Sequence, residues 1–403
     1  MAVDRDQLPE GIGLDADAAG QLCRELELAG VQPLLALDSD CMVSGGVTLS
    51  APRVANDQFR QQVVDINTLG LPLSVSIPAD CDDSVFEILG EIIGDKLEIV
   101  VNGAELSRER LLAYRDCLDR GILHLGVGND VAMLERTWSL RGDAGLRLSY
   151  NAHVLPVSPL LSAEVATAVL PVTHIQVPVG TAWLPVRADL RRFLNERGYI
   201  RESELEEALC RCIEICDRLH GQLRWPTPQM CHDAWLNRRL AIVIDGIGDL
   251  VAAQGLDPGS FKTLQMVGRL LERVQHVTRA QSRLIAERTQ SLPALADFDP
   301  GESLPGGRVR SSWRRQWRDA VALAGLRHRN LIVLSPWALF PKSGPADYRY
   351  ADLLPLLRFA NACAMGETPE LSGWNAFNFK TFHRRAMAVL QQRITPRQIA
   401  ERI

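Results

Sequence analysis

Short runs rich in valine, isoleucine and leucine alternate along this chain with segments of helical period, and no other feature narrows the fold so far. LPLSVSI (71–77), KLEIVV (96–101), GILHLGV (121–127), LRLSYNAHVL (146–155), THIQVPVG (173–180), RLAIVI (239–244) and NLIVLSP (330–336) have the composition of strands. Between them, 86–93, 107–118, 204–220, 260–288 and 313–324 carry apolar residues at helical spacing. A strand that returns after a helix must cross over, so this order predicts an α/β fold with a largely parallel sheet. So many strands invite closure into a barrel. The segment 260–288 is the firmest helix. Ser260 follows Asp257-Pro258-Gly259 as a cap, and Phe261, Leu264, Val267, Leu271, Val274 and Val277 form one stripe. Near the amino terminus a helix is expected over 15–28 and a strand over 33–37. The Gly-, Pro- and Ser-rich stretch 295–312 reads as a surface insertion, because strand–helix alternation resumes after it. An amphipathic helix with a basic face over 382–394 would dock on the body or on a partner protein.

With 46% of 403 residues apolar, there is ample material for a large core. A formal net charge of −5 gives no reason to expect a nucleic acid or an acidic membrane as partner. No apolar run reaches the length of a bilayer span, and the polar start MAVDRDQLPEG has no secretory pattern. Nine cysteines at irregular spacing fit reduced thiols rather than a disulfide scaffold. A cytoplasmic protein is the expectation.

RLAIVIDGIGDLVAAQG (239–255) reads as a buried strand, a glycine turn and a helix. A dinucleotide cradle would need a third glycine where Val251 stands, and an acidic residue ending a following strand. The Walker form G-K-[ST] is absent from the chain. The turn therefore serves packing.

The same stretch, with Arg238 before it completing an arginine pair and with Gly255, QSRLIAER (281–288) and Pro293, resembles the large, catalytic subunit of ribonucleotide reductase. VPVGTAWLPV (177–186) resembles that family's cysteine-bearing loop and strand, and ELEEALCRCIEICDRLH (204–220) the helix after it. WRDAVALAGLRHRNLIVLSPWALFP (317–341) resembles its helix, turn, strand and phosphate loop. The resemblance extends over about 175–345 and more weakly over 115–175. It implies a ten-stranded α/β barrel of the ribonucleotide reductase and glycyl radical enzyme type over 56–403. A small α/β extension over 1–55 would precede it.

The chain departs from that family where the chemistry lies. The family's radical loop, Asn-x-Cys-x-Glu, falls on Asn151-Ala152-His153-Val154-Leu155. His153 replaces the thiol and Leu155 the carboxylate base, and no cysteine lies between Cys117 and Cys210. The reducing-pair cysteine corresponds to Val177. The phosphate loop becomes Ser335-Pro336-Trp337-Ala338-Leu339-Phe340-Pro341, whose prolines and bulky side chains suit an anion nest poorly. The expectation is a barrel that does not reduce ribonucleotides. Asn151 and His153 would stand at the old reaction centre. Ser335 and Trp337 would line a site for a less phosphorylated small molecule of specialised metabolism. A non-catalytic paralogue, binding a ligand or scaffolding a partner protein, is the alternative.

His124, His153 and His174 stand on or near successive strand candidates and could converge on a transition metal, with Asn129 or Asp130 completing the set. Alternatively they are unrelated polar residues. Cys212, Cys216 and His220 share one helical face, with Cys210 nearby and Cys231-His232 beyond. They could ligate a metal, but the face is apolar and core packing is the simpler reading. The basic run 308–318 and Arg327-His328-Arg329 could meet an anionic ligand, or could flank inward-docked tryptophans.

Overall fold

The computed structural model describes residues 16–34, 36–37, 43–44, 46–68, 71–78, 81–92, 97–102, 122–126, 146–149, 166–170, 175–223, 225–257, 260–295 and 325–334. In chain order these form α1 (Ala16–Leu28), β1 (Val31–Pro33), β2 (Ala36–Leu37), β3 (Val43–Ser44), β4 (Val47–Ser50), α2 (Asp57–Thr68), β5 (Leu73–Pro78), α3 (Asp83–Ile92), β6 (Leu97–Asn102), β7 (Ile122–Gly126), β8 (Leu146–Ser149), β9 (Ala166–Leu170), β10 (Ile175–Pro178) and β11 (Trp183–Asp189). Then come α4 (Glu202–Gln222), α5 (Pro228–Asn237), β12 (Arg239–Asp245), α6 (Ile247–Ala253), α7 (Phe261–Arg288) and β13 (Ile332–Leu334).

Local chemistry explains several boundaries. Asn56 starts α2 by accepting the Phe59 N–H at 2.8 Å, and Phe59, Val63 and Ile66 form its buried stripe. Ser260 caps α7 as expected, its hydroxyl accepting the Thr263 N–H at 3.2 Å. Thr227 does the same for α5, a helix the sequence reading did not include, and Pro228 takes the first helical position, where its missing N–H costs nothing.

Two sheets carry the fold. β4, β5, β6, β7 and β8 pair in parallel in that order, which is what successive right-handed crossovers produce. The second sheet runs β1-β11-β12-β13, with β11, β12 and β13 parallel and β1 antiparallel at the edge. β9 and β10 form a hairpin. The four strands of the amino-terminal stretch differ in destination: β4 opens the first sheet, β1 closes the edge of the second, and β2 pairs with β3. Buried residues of both sheets and of all seven helices, α1 to α7, belong to one continuous core.

The expected closed ring of ten strands is not found among the described residues; their ladders give separate sheets of five and four strands. At the edge of β11 the neighbour is β1, antiparallel, while β10 pairs with β9. None of the described helices is long and apolar enough to cross a membrane.

Candidate functional site: a polar sheet face beneath a hairpin

A parallel sheet covered on both faces normally reads as unbroken apolar strands. β12 behaves so, with all seven residues buried and RLAIVID interrupted only at its ends. The five-stranded sheet does not. Its strands alternate, and side chains alternate between faces with period two. Val47, Leu73, Val75, Ile77, Leu97, Ile99, Leu123, Leu125, Leu146 and Leu148 occupy one face by register.

The opposite face carries the polar residues. Register aligns Thr48, Ser74, Glu98 and Ile122 as one row, and Ser50, Ser76, Val100, His124 and Arg147 as the next. Gly126 pairs with Ser149 at the carboxyl end of the same face. Thr48, Ser74 and Ser76 are buried. Alternation of this kind is what strands lining the inside of a barrel show.

The β9–β10 hairpin lies over this face. β9 packs across β4, β5 and β6, and the Val169 N–H donates to Ser74 Oγ at 3.3 Å. Where the hairpin leads into β11, the Gly180 N–H donates to Thr48 Oγ1 at 2.9 Å. Gly180 has φ +70°, and any Cβ there would meet the Gln229 amide, so only glycine makes this approach.

Of the residues singled out from sequence, His124 lies mid-strand on this polar face. Asn151, His153, His174, Ser335 and Trp337 lie outside the described residues, as do the run 308–318, the helices expected over 107–118 and 313–324, and the helix over 382–394. β8 ends at Ser149, just before Asn151 and His153 in sequence, and β13 ends at Leu334, just before Ser335. Glu98, Arg147, Ser74 and Thr48 were missed as candidates. The signal was present in L-S-V-S-I, L-E-I-V-V-N, I-L-H-L-G and L-R-L-S, each alternating, but these runs were valued for apolar content alone.

The glycine turn after β12 is a packing device. Gly246 has φ +81°, and a Cβ there would stand 3.2 Å from Asp189 Oδ1 and 3.3 Å from Arg191 Cγ. At this carboxyl edge Asp245 pairs in register with Asp189. Asp189 caps the following turn, accepting from the Arg191 N–H at 3.1 Å and from its Nε at 2.8 Å. That carboxylate is the leading cause of a raised Arg191 pKa. Asp245 accepts the Gly246 N–H at 2.9 Å, with Arg187 Nε 3.8 Å from its other oxygen.

Two polar clusters anchor the start of β12. Arg239 is wholly buried against the Trp183 ring, 5.5 Å from its centroid, and forks onto Asp233 through Nε and Nη2, both at 2.9 Å. Asp233 also accepts from the Ala182 N–H and the Asn237 amide, which ties α5 to β11 and β12. In the second cluster Asp217 of α4 accepts from Arg238, Arg327 and His328. Burial alone would raise the Asp217 carboxyl, but the His328 hydrogen bond and the Arg238 and Arg327 charges outweigh it and hold the pKa far below the usual range. Arg327-His328-Arg329 is therefore an internal fastening and not a basic surface.

Ser282, His328 and Asp217 have the connectivity of a nucleophilic triad, with Ser282 Oγ 3.0 Å from His328 Nδ1 and His328 Nε2 3.1 Å from Asp217. The geometry is structural. Ser282 and His328 are fully buried, and Ser282 Oγ already accepts the Arg327 and His328 backbone N–H groups. A serine without access to substrate cannot act as a nucleophile.

Core packing also explains the thiols of α4. Cys212 and Cys216 are buried with their sulfurs 3.9 Å apart. The hydrogen bond to Cys212, together with burial, pushes the Cys216 thiol well up, the opposite of an activated thiolate. No group of three metal-ligating side chains occurs among the described residues. His220 stacks against Trp225 with centroids 5.0 Å apart, and neither ring nitrogen has a hydrogen-bond partner among the described residues.

No family model matches the chain. In sequence it is similar to the vitamin B12-dependent ribonucleoside-diphosphate reductase of Mycobacterium tuberculosis. The proteins of strains CDC 1551 / Oshkosh and ATCC 25618 / H37Rv are each 28% identical to it over 109 residues. That stretch is 27% of this chain and spans only 16% and 15% of the two reductases. In structure it is similar to the class Id ribonucleotide reductase alpha subunit of Actinobacillus ureae, with a TM-score of 0.50 and 12% identity, covering 88% of this chain and 76% of the other. At that identity the likeness shows a fold of the α/β barrel type and nothing further.

Proposed function

Taking the chain as a relative of the ribonucleotide reductase large subunits, we propose that it is a divergent enzyme that uses the polar inner face of its first sheet for a reaction other than ribonucleotide reduction. The observation that carries this is the alternation across β4 to β8, which sets Thr48, Ser74, Glu98, His124 and Arg147 on one face by register, with the hairpin over its β4 to β6 part. The hairpin accounts for Ser74 and Thr48; in this reading the remaining polar positions of the face serve a ligand. Asn151 and His153, which follow β8 in sequence, stand at the reaction centre in this reading. Ser335 and Trp337, which follow β13, contact a substrate carrying fewer phosphates than a nucleotide. Thiyl chemistry requires a cysteine thiol, and the chain has no cysteine between Cys117 and Cys210.

The reading has a metal-dependent form, in which His124, His153 and His174 hold a transition metal. Elemental analysis of untagged protein tests it, beside His153→Ala and His174→Ala. Stoichiometric metal lost in both variants supports a metal centre; native protein without metal removes that form. The broader reading is tested by incubating the protein with ribonucleoside di- and triphosphates, a dithiol reductant and adenosylcobalamin. No deoxyribonucleotide is expected, and turnover above a heat-treated control overturns the proposal.

A second reading, a non-catalytic paralogue that scaffolds a partner, draws on Trp183. It is buried, its indole N–H donates to Thr181 at 2.7 Å, and its face meets Arg239. Such a ring fills space and leaves none to a ligand. Retention of a stable stoichiometric complex on pull-down, with no small molecule bound to the isolated chain, would favour it.

A further inference from the structure

We propose that Ser282, His328 and Asp217 form an acid-sensitive latch, whose opening frees residues 325–330 and the entry to β13 while the rest of the core stays closed. The latch is independent of the reaction proposed above.

It joins three elements. Ser282 lies on α7, Asp217 on α4, and His328 on the strap, residues 325–330, that leads into β13. Ser282 and His328 are fully buried. A serine hydroxyl has one proton to donate and two lone pairs with which to accept. The Arg327 and His328 backbone N–H groups take both lone pairs of Ser282 Oγ, at 3.1 and 3.2 Å. Its proton is left for His328 Nδ1, 3.0 Å away. Nδ1 is therefore the bare nitrogen, and Nε2 carries the hydrogen that goes to Asp217 Oδ1 at 3.1 Å. With His328 neutral, each of its nitrogens and the Ser282 hydroxyl is matched.

A second proton on the ring has no place. It would sit on Nδ1, facing an oxygen whose lone pairs are taken. Either it stays without an acceptor, or it displaces a backbone N–H that holds the strap. The surrounding charges oppose it as well. Among the described residues, the ionisable groups around His328 are Asp217 and His220 on α4, Arg238 between α5 and β12, and Arg327 beside it on the strap; α7 contributes the uncharged Ser282. Two guanidinium groups already share the one carboxylate. A proton on His220, whose nitrogens have no acceptor among the described residues, would add a further cation. Burial, helped by the Arg238 and Arg327 charges, holds the His328 pKa below its ordinary value in spite of the Asp217 hydrogen bond. The closed latch thus binds fewer protons than the open one. It is firm above about pH 6.5 and weakens as the pH falls below that.

The strap is the part that yields. Besides Ser282, its backbone is tied by the Leu326 carbonyl, which accepts the Leu292 N–H at 2.8 Å, and by the Arg329 N–H, which donates to Asn237 at 3.0 Å. β13 beyond it has three residues and is the outermost strand of its sheet among the described residues. Short segments at an edge open at lower cost than central strands.

Hydrogen exchange of the full chain at pH 7 and pH 5, read by mass spectrometry and corrected for the intrinsic rate, tests the latch. Peptides over 325–334 should lose about ten- to thirtyfold of their protection between those pH values, as one histidine does that protonates near pH 6.5 only when open. Leu240 and Ile242, whose N–H groups donate to Asn330 and Leu331, should follow. Peptides from β5 and β11 should keep their protection. His328→Gln, which takes up no proton, should leave protection over 325–334 nearly independent of pH. Ser282→Ala removes the oxygen that holds the strap and should give fast exchange there already at pH 7. The profile of the unaltered protein decides by itself if neither variant folds. Unchanged protection over 325–334 at pH 5, loss there only together with β5 and β11, or an acid response that survives His328→Gln each overturns the latch.

Discussion

His220→Leu should make this protein more stable, an uncommon result for a buried substitution. The imidazole lies in the core, and neither nitrogen has a hydrogen-bond partner among the described residues. Each buried polar group left unsatisfied costs about 1–3 kcal/mol. Leucine removes both at similar volume and forfeits the tilted contact with Trp225, worth about 0.5–1.5 kcal/mol. Removing both recovers about 2–6 kcal/mol, so the balance is a gain of about 0.5–5.5 kcal/mol at pH 7. The pH dependence gives a second reading. Burial, then the charges of Arg238 and of a protonated His328, push the His220 pKa well below its ordinary value. A histidine with a depressed folded pKa binds fewer protons folded than unfolded. Stability is therefore full above about pH 6.5 and falls as the pH drops below it. One such histidine costs at most about 2 kcal/mol between pH 7 and pH 5. Urea unfolding of both proteins at those two pH values should show the variant more stable at pH 7 and less sensitive to acid. A variant less stable at pH 7, or one that keeps the full acid sensitivity, refutes the reasoning.

Asp217→Asn should cost about 3–5 kcal/mol by chemical denaturation at pH 7, because it strips the carboxylate from buried Arg238 and His328 and from half-buried Arg327. Burial lowers the His328 pKa despite Asp217, so His328→Gln should also lessen the loss of stability below about pH 6.5; an unchanged acid slope would sink that account. Ser260→Ala removes the hydroxyl that accepts the Thr263 N–H and should cost about 1 kcal/mol, with native-state hydrogen exchange quickening in the first turn of α7. Gly246→Ala forces a side chain into φ +81° against Asp189 and should cost about 1–2 kcal/mol or more; a thermal midpoint equal to that of the parent would show the turn is not tight.

The sequence by itself determined what local physics determines. Strand–helix alternation, the span and cap of the Phe261–Arg288 helix, the packing role of the glycine turn and the apolar face of Cys212 and Cys216 all follow from periodicity, capping and backbone sterics within a few residues. Composition did not mark β11 as a strand, since Pro185 discourages one, and only the resemblance of 177–186 to a loop and strand pointed there; β1 and β12 flank it, and the Pro185 carbonyl accepts the Leu34 N–H at 3.1 Å. Tertiary structure alone decided the rest, because it depends on which distant segments pair. His328 reaches Asp217 across 111 residues and turns a basic tripeptide into a core fastening. Glu98, His124 and Arg147 are separated in sequence by whole crossover units, and only parallel register sets them on one face. A single strand's alternation cannot say whether its polar side meets water or a neighbour's polar side; the ladder between strands can.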